Sequence, residues 1–402
     1  MKKFLAILLA IAMVACLFAG CAEGEADPTD APVVTDAPVE TDAPSEAPTE
    51  EEPAADYSAW HVAMITDYGD ITDQSFNQTT YEAGKAWCEE RGVDFTYYKP
   101  TGDSTAERVA MVDQAVAEGY NVLLMPGFAF ADTVKETAEL YPDVYYIVLD
   151  VGAGDYGDYV LPANVYSAVY QEQLPGYMAG YAAVKLGYKH LGYMGGMAVP
   201  AVVRYGYGYV QGANAAAVEL GIEDEVVIEY AYGNQFFGDP DITAYMDAMY
   251  QEKGIEICFA CGGSINSSVC EAAQKVEGAK VIGVDVDQAL TQDPVYGEGI
   301  TVTSAMKGLA ATVKSALSDL IENELWSNYS GQIASLGIVS GDDLDANYVG
   351  IAPSTQFEDG KFTEDDYAAL VAAMFAGDIV VSDAIDVEPE VAITVNYLGN
   401  VK

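Results

Sequence analysis

From residue 61 onward, short apolar runs alternate with stretches in which apolar positions recur every three or four residues. Residues 61–66 read as a strand, 75–91 as a helix and 94–98 as a second strand. Ser104 and Glu107 form a capping box that opens a helix on which Val109, Val112 and Val116 share one face. Residues 122–125 then read as a strand, a helix runs to Leu140, and residues 145–149 form the next strand. This alternation predicts βα units around a parallel sheet.

The pattern then begins again. It gives a helix at 173–185, a strand at 191–194, a helix at 202–220, a strand at 226–229 and a helix at 241–253. A strand at 255–260, a helix at 268–276 and a strand at 281–284 complete it. Two successive doubly wound units predict two similar lobes. A strand at 300–303, a long helix at 306–324 and a less regular tail follow, the tail ending in a strand at 391–395.

Ligands of open α/β sheets bind beyond the carboxyl ends of the strands. The residues standing there are Asp67, Pro126 with Gly127, Asp150, Gly195 with Gly196, Gly262 with Gly263, and Asp285. Glycine allows a ligand close to the backbone, and a carboxylate accepts hydrogen bonds from hydroxyls or ring N–H groups. The same residue types also serve ordinary turns.

The first sixty of the 402 residues break the pattern. Lys2 and Lys3 precede an apolar stretch at 4–18 that is short for a membrane span, and Ala19-Gly20 offers a cleavage site, so residues 1–20 read as an export signal. The string Leu17-Phe18-Ala19-Gly20-Cys21 resembles a bacterial lipoprotein signal, with Phe18 in the place usually held by Leu. Cys21 is thus the expected acylation site. Residues 21–57 then read as an acidic, Pro/Thr/Ala-rich disordered tether that repeats Thr-Asp-Ala-Pro three times. Together they predict a lipid-anchored protein on the extracytoplasmic face of a bacterial membrane.

A net charge of −46 argues against nucleic acid and disfavours phosphorylated ligands. Cys258 and Cys261 have metal or redox spacing, yet they sit in an apolar run, and His61 and His190 are the only histidines. Structural cysteines are expected, with no metal and no cofactor. Asp343, Asp345 and Asn347 imitate a calcium loop, but Tyr348 stands where Gly is needed. With no P-loop, no nucleophile elbow and no histidine placed as a general base, no enzyme is predicted.

The string from Thr66 through Asp67, Gly69, Ile71, Asp73, Ser75, Phe76, Asn77 and Gln78 resembles the opening motif of the basic membrane protein family. These are the purine nucleoside receptor-like lipoproteins of bacterial ABC importers. The likeness continues through Gly195-Gly196-Met197, Pro200, Arg204, Ile282 to Gln288 and Thr303 to Lys307. It implies a type I periplasmic-binding fold, two Rossmann-like lobes joined by three crossovers near 164–165, near 303 and after about 324. The implied lobes are 58–164 plus 304–330, and 165–303 plus 331–402.

The resemblance also implies a site. Phe76 would stack on a purine with Asn77 beside it. Asp67 and Asp150 would read the base edge, and Asp285, Lys307 and the Gly262-Gly263 backbone would hold the ribose. Phe236 or Phe237, with Phe237 favoured, would supply the second stack. Asp70, Thr72 and Gln74 depart from the family pattern beside this pocket. Tyr205, Tyr207 and Tyr209 have no reading in that pattern; alternating on a helix, they cannot share one face and are expected at surface and core positions. The implied partners are a nucleoside and an ABC permease, with the protein a monomer. The rival readings are the same fold binding a sugar or sugar-like signal, and a surface sensor or adhesin.

Overall fold

The computed structural model describes residues 56–402. The expected signal, the Cys21 acylation site and nearly all of the tether lie outside those residues. Among the described residues, no helix is long and apolar enough to cross a membrane.

The first half runs β1 (His61–Ile65), α1 (Phe76–Arg91), β2 (Asp94–Tyr98), α2 (Thr105–Ala117), β3 (Val122–Pro126), α3 (Ala131–Thr137), β4 (Tyr145–Leu149), α4 (Ala153–Tyr156) and β5 (Val165–Tyr170). The second runs α5 (Gln173–Leu186), β6 (His190–Gly195), α6 (Pro200–Leu220), β7 (Val227–Tyr232), α7 (Pro240–Ala248), β8 (Ile257–Cys261), α8 (Asn266–Ala273), β9 (Lys280–Asp285), α9 (Ala289–Tyr296) and β10 (Thr301–Lys307). The remainder is α10 (Leu309–Ile321), β11 (Gln332–Leu336), β12 (Val349–Ile351), α11 (Glu364–Ala376) and β13 (Thr394–Asn400).

These strands form two sheets. The first has the order β11-β5-β4-β3-β1-β2 and is parallel throughout. The second has the order β12-β10-β9-β8-β6-β7-β13 and is parallel except for β12 against β10. Central strands such as β3 and β8 are buried along their whole length, as expected where helices cover both faces. Two doubly wound α/β lobes are the architecture the periodicity predicts.

The implied lobe boundaries need correction. Val165–Tyr170 and Gln332–Leu336 were assigned to the second lobe, but both pair in the first sheet. Residues 304–307 were assigned to the first lobe, yet β10 runs through to Lys307 in the second sheet. The chain therefore crosses just after Tyr170, at Gly308, and between Leu336 and Val349. Sheet membership is set by pairing partners far away in sequence, so a strand's own residues do not announce it. The helix expected at 306–324 accordingly begins at Leu309; its Val313, Leu317 and Leu320 pack in the first lobe's core with Ala83 and Trp87 of α1.

Helices α5 and α6 lie unusually close. A Cβ on Gly176 or Gly180 would come within 2.2 or 2.1 Å of the Tyr205 or Tyr209 carbonyl oxygen, and one on Gly208 or Gly212 would strike the α5 backbone. These glycines let the middle of α6 press against the first half of α5, directly after the first crossover.

Candidate functional site

The loop between β1 and α1 is tied down by its own carboxylates. Asp67 Oδ1 accepts from the Tyr68 and Gly69 amides, both at 2.7 Å. Asp73 accepts from the amides of Ser75, Asn77 and Gln78, so it serves as the cap of α1 although Ser75 holds the cap position. Asn77 donates its side-chain amide to Asp73 at 3.2 Å and to Asp67 at 3.4 Å. This network fixes Phe76 at the first position of the helix.

Asp150 and Asp285 occupy equivalent places, just after β4 and at the end of β9. Both have left-handed backbones, φ 63° and 66°. Aspartate tolerates this conformation better than most residues. Lys307, at the end of β10, stands between them. Its Nζ lies 2.6 Å from Asp150, 3.6 Å from Asp285 and 3.8 Å from Glu172. The same ammonium sits 4.7 Å from the centre of the Phe76 ring, within cation–π range.

Lys307, Asp285 and Glu172 are buried, and Asp150 and Phe76 are half-buried. Burial opposes the charge of Lys307, but Asp150, Asp285 and Glu172 outweigh it and hold the lysine above its ordinary value. Burial raises Asp285 against the opposing pull of Lys307 and Ser75. It likewise raises Asp67, against the amides of Gly69 and Tyr68. Glu172 is raised by burial, with Arg204, whose Nε is 2.6 Å away, and Lys307 opposing.

From the second lobe come backbone and rings. Gly262 and Gly263 have positive φ, and a Cβ on Gly262 would approach the Gly196 backbone to 2.9 Å. A Cβ on Gly196 would meet the Phe236 ring at 2.5 Å, so that ring rests on the glycine turn. Phe236 faces Phe128 of the first lobe at 6.4 Å between ring centres. Phe237 is 53% exposed.

Asp67, Phe76, Asn77, Asp150, Phe236, Phe237, Gly262, Gly263, Asp285 and Lys307 all line a single cavity of ≈ 370 Å³. The two lobes touch across it. Ser75 donates to Asp285 at 2.5 Å, Gln288 donates to the Gln74 carbonyl at 3.0 Å, and the Tyr68 hydroxyl lies 3.6 Å from Met197 Sδ. The cleft is therefore closed. Cys261 also lines it, and Cys88, Cys258, Cys261 and Cys270 are free and buried.

Three contributors escaped the sequence reading. Glu172 looks like an ordinary solvated residue before a helix, yet it is wholly buried. Phe128 stands just past the Gly127 turn, the position the strand-end rule marks. Tyr205, buried one helical turn before Tyr209, also lines the cavity. The paired spacings Gly176/Gly180 and Gly208/Gly212 were the available signal for the helix contact that buries Glu172 and Tyr205.

Comparison with known proteins gives this arrangement a lineage. A nucleoside-binding ABC transporter protein of Lactococcus lactis, BmpA, is 27% identical over 238 residues, 56% of this chain and 64% of that protein. Basic membrane protein B of Borreliella afzelii is 26% identical over 302 residues, covering 74% of this chain and 82% of its own. A solute-binding protein of an Aeropyrum pernix ABC transporter has the same fold, with TM-score 0.61 and 22% identity over 80% of this chain and 87% of that one. The family model described as ABC transporter substrate-binding protein PnrA-like matches residues 60–366, and the chain belongs to that family, Bmp.

Proposed function

We propose that this chain is an extracytoplasmic, lipid-anchored receptor that captures a purine nucleoside in its interlobe cleft and delivers it to an ABC permease. The observation that carries the reading is the chemistry of this cavity. An aromatic ring on each lobe, Phe76 and the Phe236–Phe237 pair, flanks a space edged by Asp67 at one part and by Asp150, Asp285 and Lys307 at another. A base offers two π-faces for the rings and N–H donors for a carboxylate, while ribose hydroxyls both donate and accept. Delivery needs only reversible binding and hinge motion at the crossovers, so the carboxylates act as acceptors and no bond is made or broken. Phe237 keeps about half of its side chain exposed at the cavity, whereas Phe236 rests on the glycine turn.

A thermal-shift screen tests this. A ligand that binds only the folded state raises Tm according to its concentration relative to Kd. Guanosine, inosine or adenosine should raise Tm, and their 5′-phosphates should not. Stabilisation by sugars alone would overturn the nucleoside assignment, and turnover of the bound compound would overturn the non-enzymatic one.

A further inference from the structure

The surroundings of Lys307 contain more hydrogen-bonding capacity than the protein itself uses. Lys307 makes one hydrogen bond, to Asp150 Oδ2; Asp285 and Glu172 lie beyond hydrogen-bond reach at 3.6 and 3.8 Å. Asp150 Oδ1, Glu172 Oε1 and the Tyr205 hydroxyl are buried without any partner. Buried polar groups in folded proteins are usually paired, with protein, water or ligand, and Asp150 and Tyr205 stand at the cavity, where a ligand group can pair with them.

Tyr205 stands out among them. It is 1% exposed, lines the cavity, and its ring centre is 5.8 Å from Lys307 Nζ. Phenylalanine would fill the same space and leave no orphan group. Burial, with the nearby Asp285 and Glu172 carboxylates, keeps the phenol protonated far above its ordinary range, so it retains a proton to donate. Beside it the protein presents unused carboxylate acceptors and unused ammonium donors. A hydroxyl satisfies a donor and an acceptor together through a single atom.

We propose that Tyr205 is a further ligand-contacting residue, its hydroxyl hydrogen-bonding a hydroxyl of the ligand's sugar. The assignment rests on the nucleoside reading above, and it adds a selective contact from α6 that the sequence motifs do not contain. Tyr209 provides an internal control. It lies one turn further along α6, is fully buried, and also has an unpartnered hydroxyl, but it does not line the cavity.

The test is a titration of the purified protein and its Tyr205→Phe and Tyr209→Phe variants with inosine and its 2′-, 3′- and 5′-deoxy analogues. Tyr205→Phe should weaken inosine binding about five- to tenfold, the scale of one hydrogen bond. It should leave unchanged the affinity for whichever analogue lacks the hydroxyl it contacts. Tyr209→Phe should change none of them. Equal inosine affinity in Tyr205→Phe and wild type would overturn the assignment, as would an equal loss on all four ligands or an equal loss in both variants. Wild-type protein that binds no nucleoside would overturn the functional reading and this contact together. That pattern is distinct from a wild type that binds and a variant that binds equally well.

Discussion

The two lobes meet the cleft with different materials. The first presents side chains held by a dense local network: Asp67 and Asp73 each accept several bonds from their own loop, and Phe76 and Asn77 follow at the start of a capped helix. The second presents a glycine backbone, Gly196, Gly262 and Gly263, with two phenylalanines of which one is largely exposed. Its one carboxylate, Asp285, is already engaged with Ser75 of the other lobe. The difference suggests a division of labour in the proposed cycle. The preorganised first lobe recognises the base, and the second lobe closes over it, with Lys307 beside the second crossover joining the two.

The sharpest way to break this comparison is to remove its joint. Lys307→Met would strip Asp150 and the buried Glu172 and Asp285 of their shared cation, and losing one partner of a buried ion pair costs about 3–5 kcal/mol. Thermal unfolding should show a large fall in Tm even without ligand. A variant as stable as wild type would show that Lys307 does not hold the charges together.

Next in size is the contrast between aromatics. Phe76→Ala should weaken nucleoside binding by about 1–3 kcal/mol, the scale of one stacked ring. Phe237→Ala should cost no more than that, because an exposed side chain loses mobility when it closes on a ligand. Titrations of the two variants in parallel decide the order, and a larger loss from Phe237 would reverse the proposed roles of the lobes.

A third handle is pH. Burial places the Asp67 carboxyl above the ordinary aspartate range, so it takes up a proton earlier than an exposed carboxylate as pH falls. A protonated Asp67 is a poorer acceptor, and nucleoside affinity should decline on acidification, less steeply in Asp67→Asn. The stability of the empty protein should move the other way. A raised folded value means that Asp67's contribution is full below its unfolded value and is lost as pH rises through the folded one. Affinity and stability measured on the same pH series should therefore show opposite slopes from this residue, and identical slopes in Asp67→Asn and wild type would remove it from the site.

The smallest effect concerns closure itself. Ser75→Ala deletes a hydrogen bond between lobes at Asp285. Stopped-flow measurements should find dissociation faster by about tenfold, with association little changed, since such contacts form after encounter. Unchanged dissociation would mean that this bond does not hold the cleft shut.

Much of this was legible along the chain. Strand ends carried the site because parallel sheets expose their carboxyl ends, and Asp67, Gly127, Asp150, Gly262, Gly263 and Asp285 all stand there and line the cavity. The crossovers were misplaced because β5 and β11 have no local mark of which sheet they join. Glu172 was invisible for a related reason. Its burial comes from two helices meeting at glycines, whereas a glutamate preceding a helix reads as solvated. The terminal strand was expected at 391–395 and forms at Thr394–Asn400, parallel to β7, where pairing overrides the local apolar run. Tyr205 failed as a candidate because alternating tyrosines on a helix cannot share a face, and its place at the cavity comes from the packing of α6 on α5.

The most direct measurement is calorimetric titration of the protein with guanosine and, separately, with guanosine 5′-monophosphate. Saturable binding of one guanosine per chain, with no heat from the monophosphate, is the predicted result. No binding of guanosine, inosine or adenosine, or binding of the monophosphate as tight as that of the nucleoside, would contradict the account.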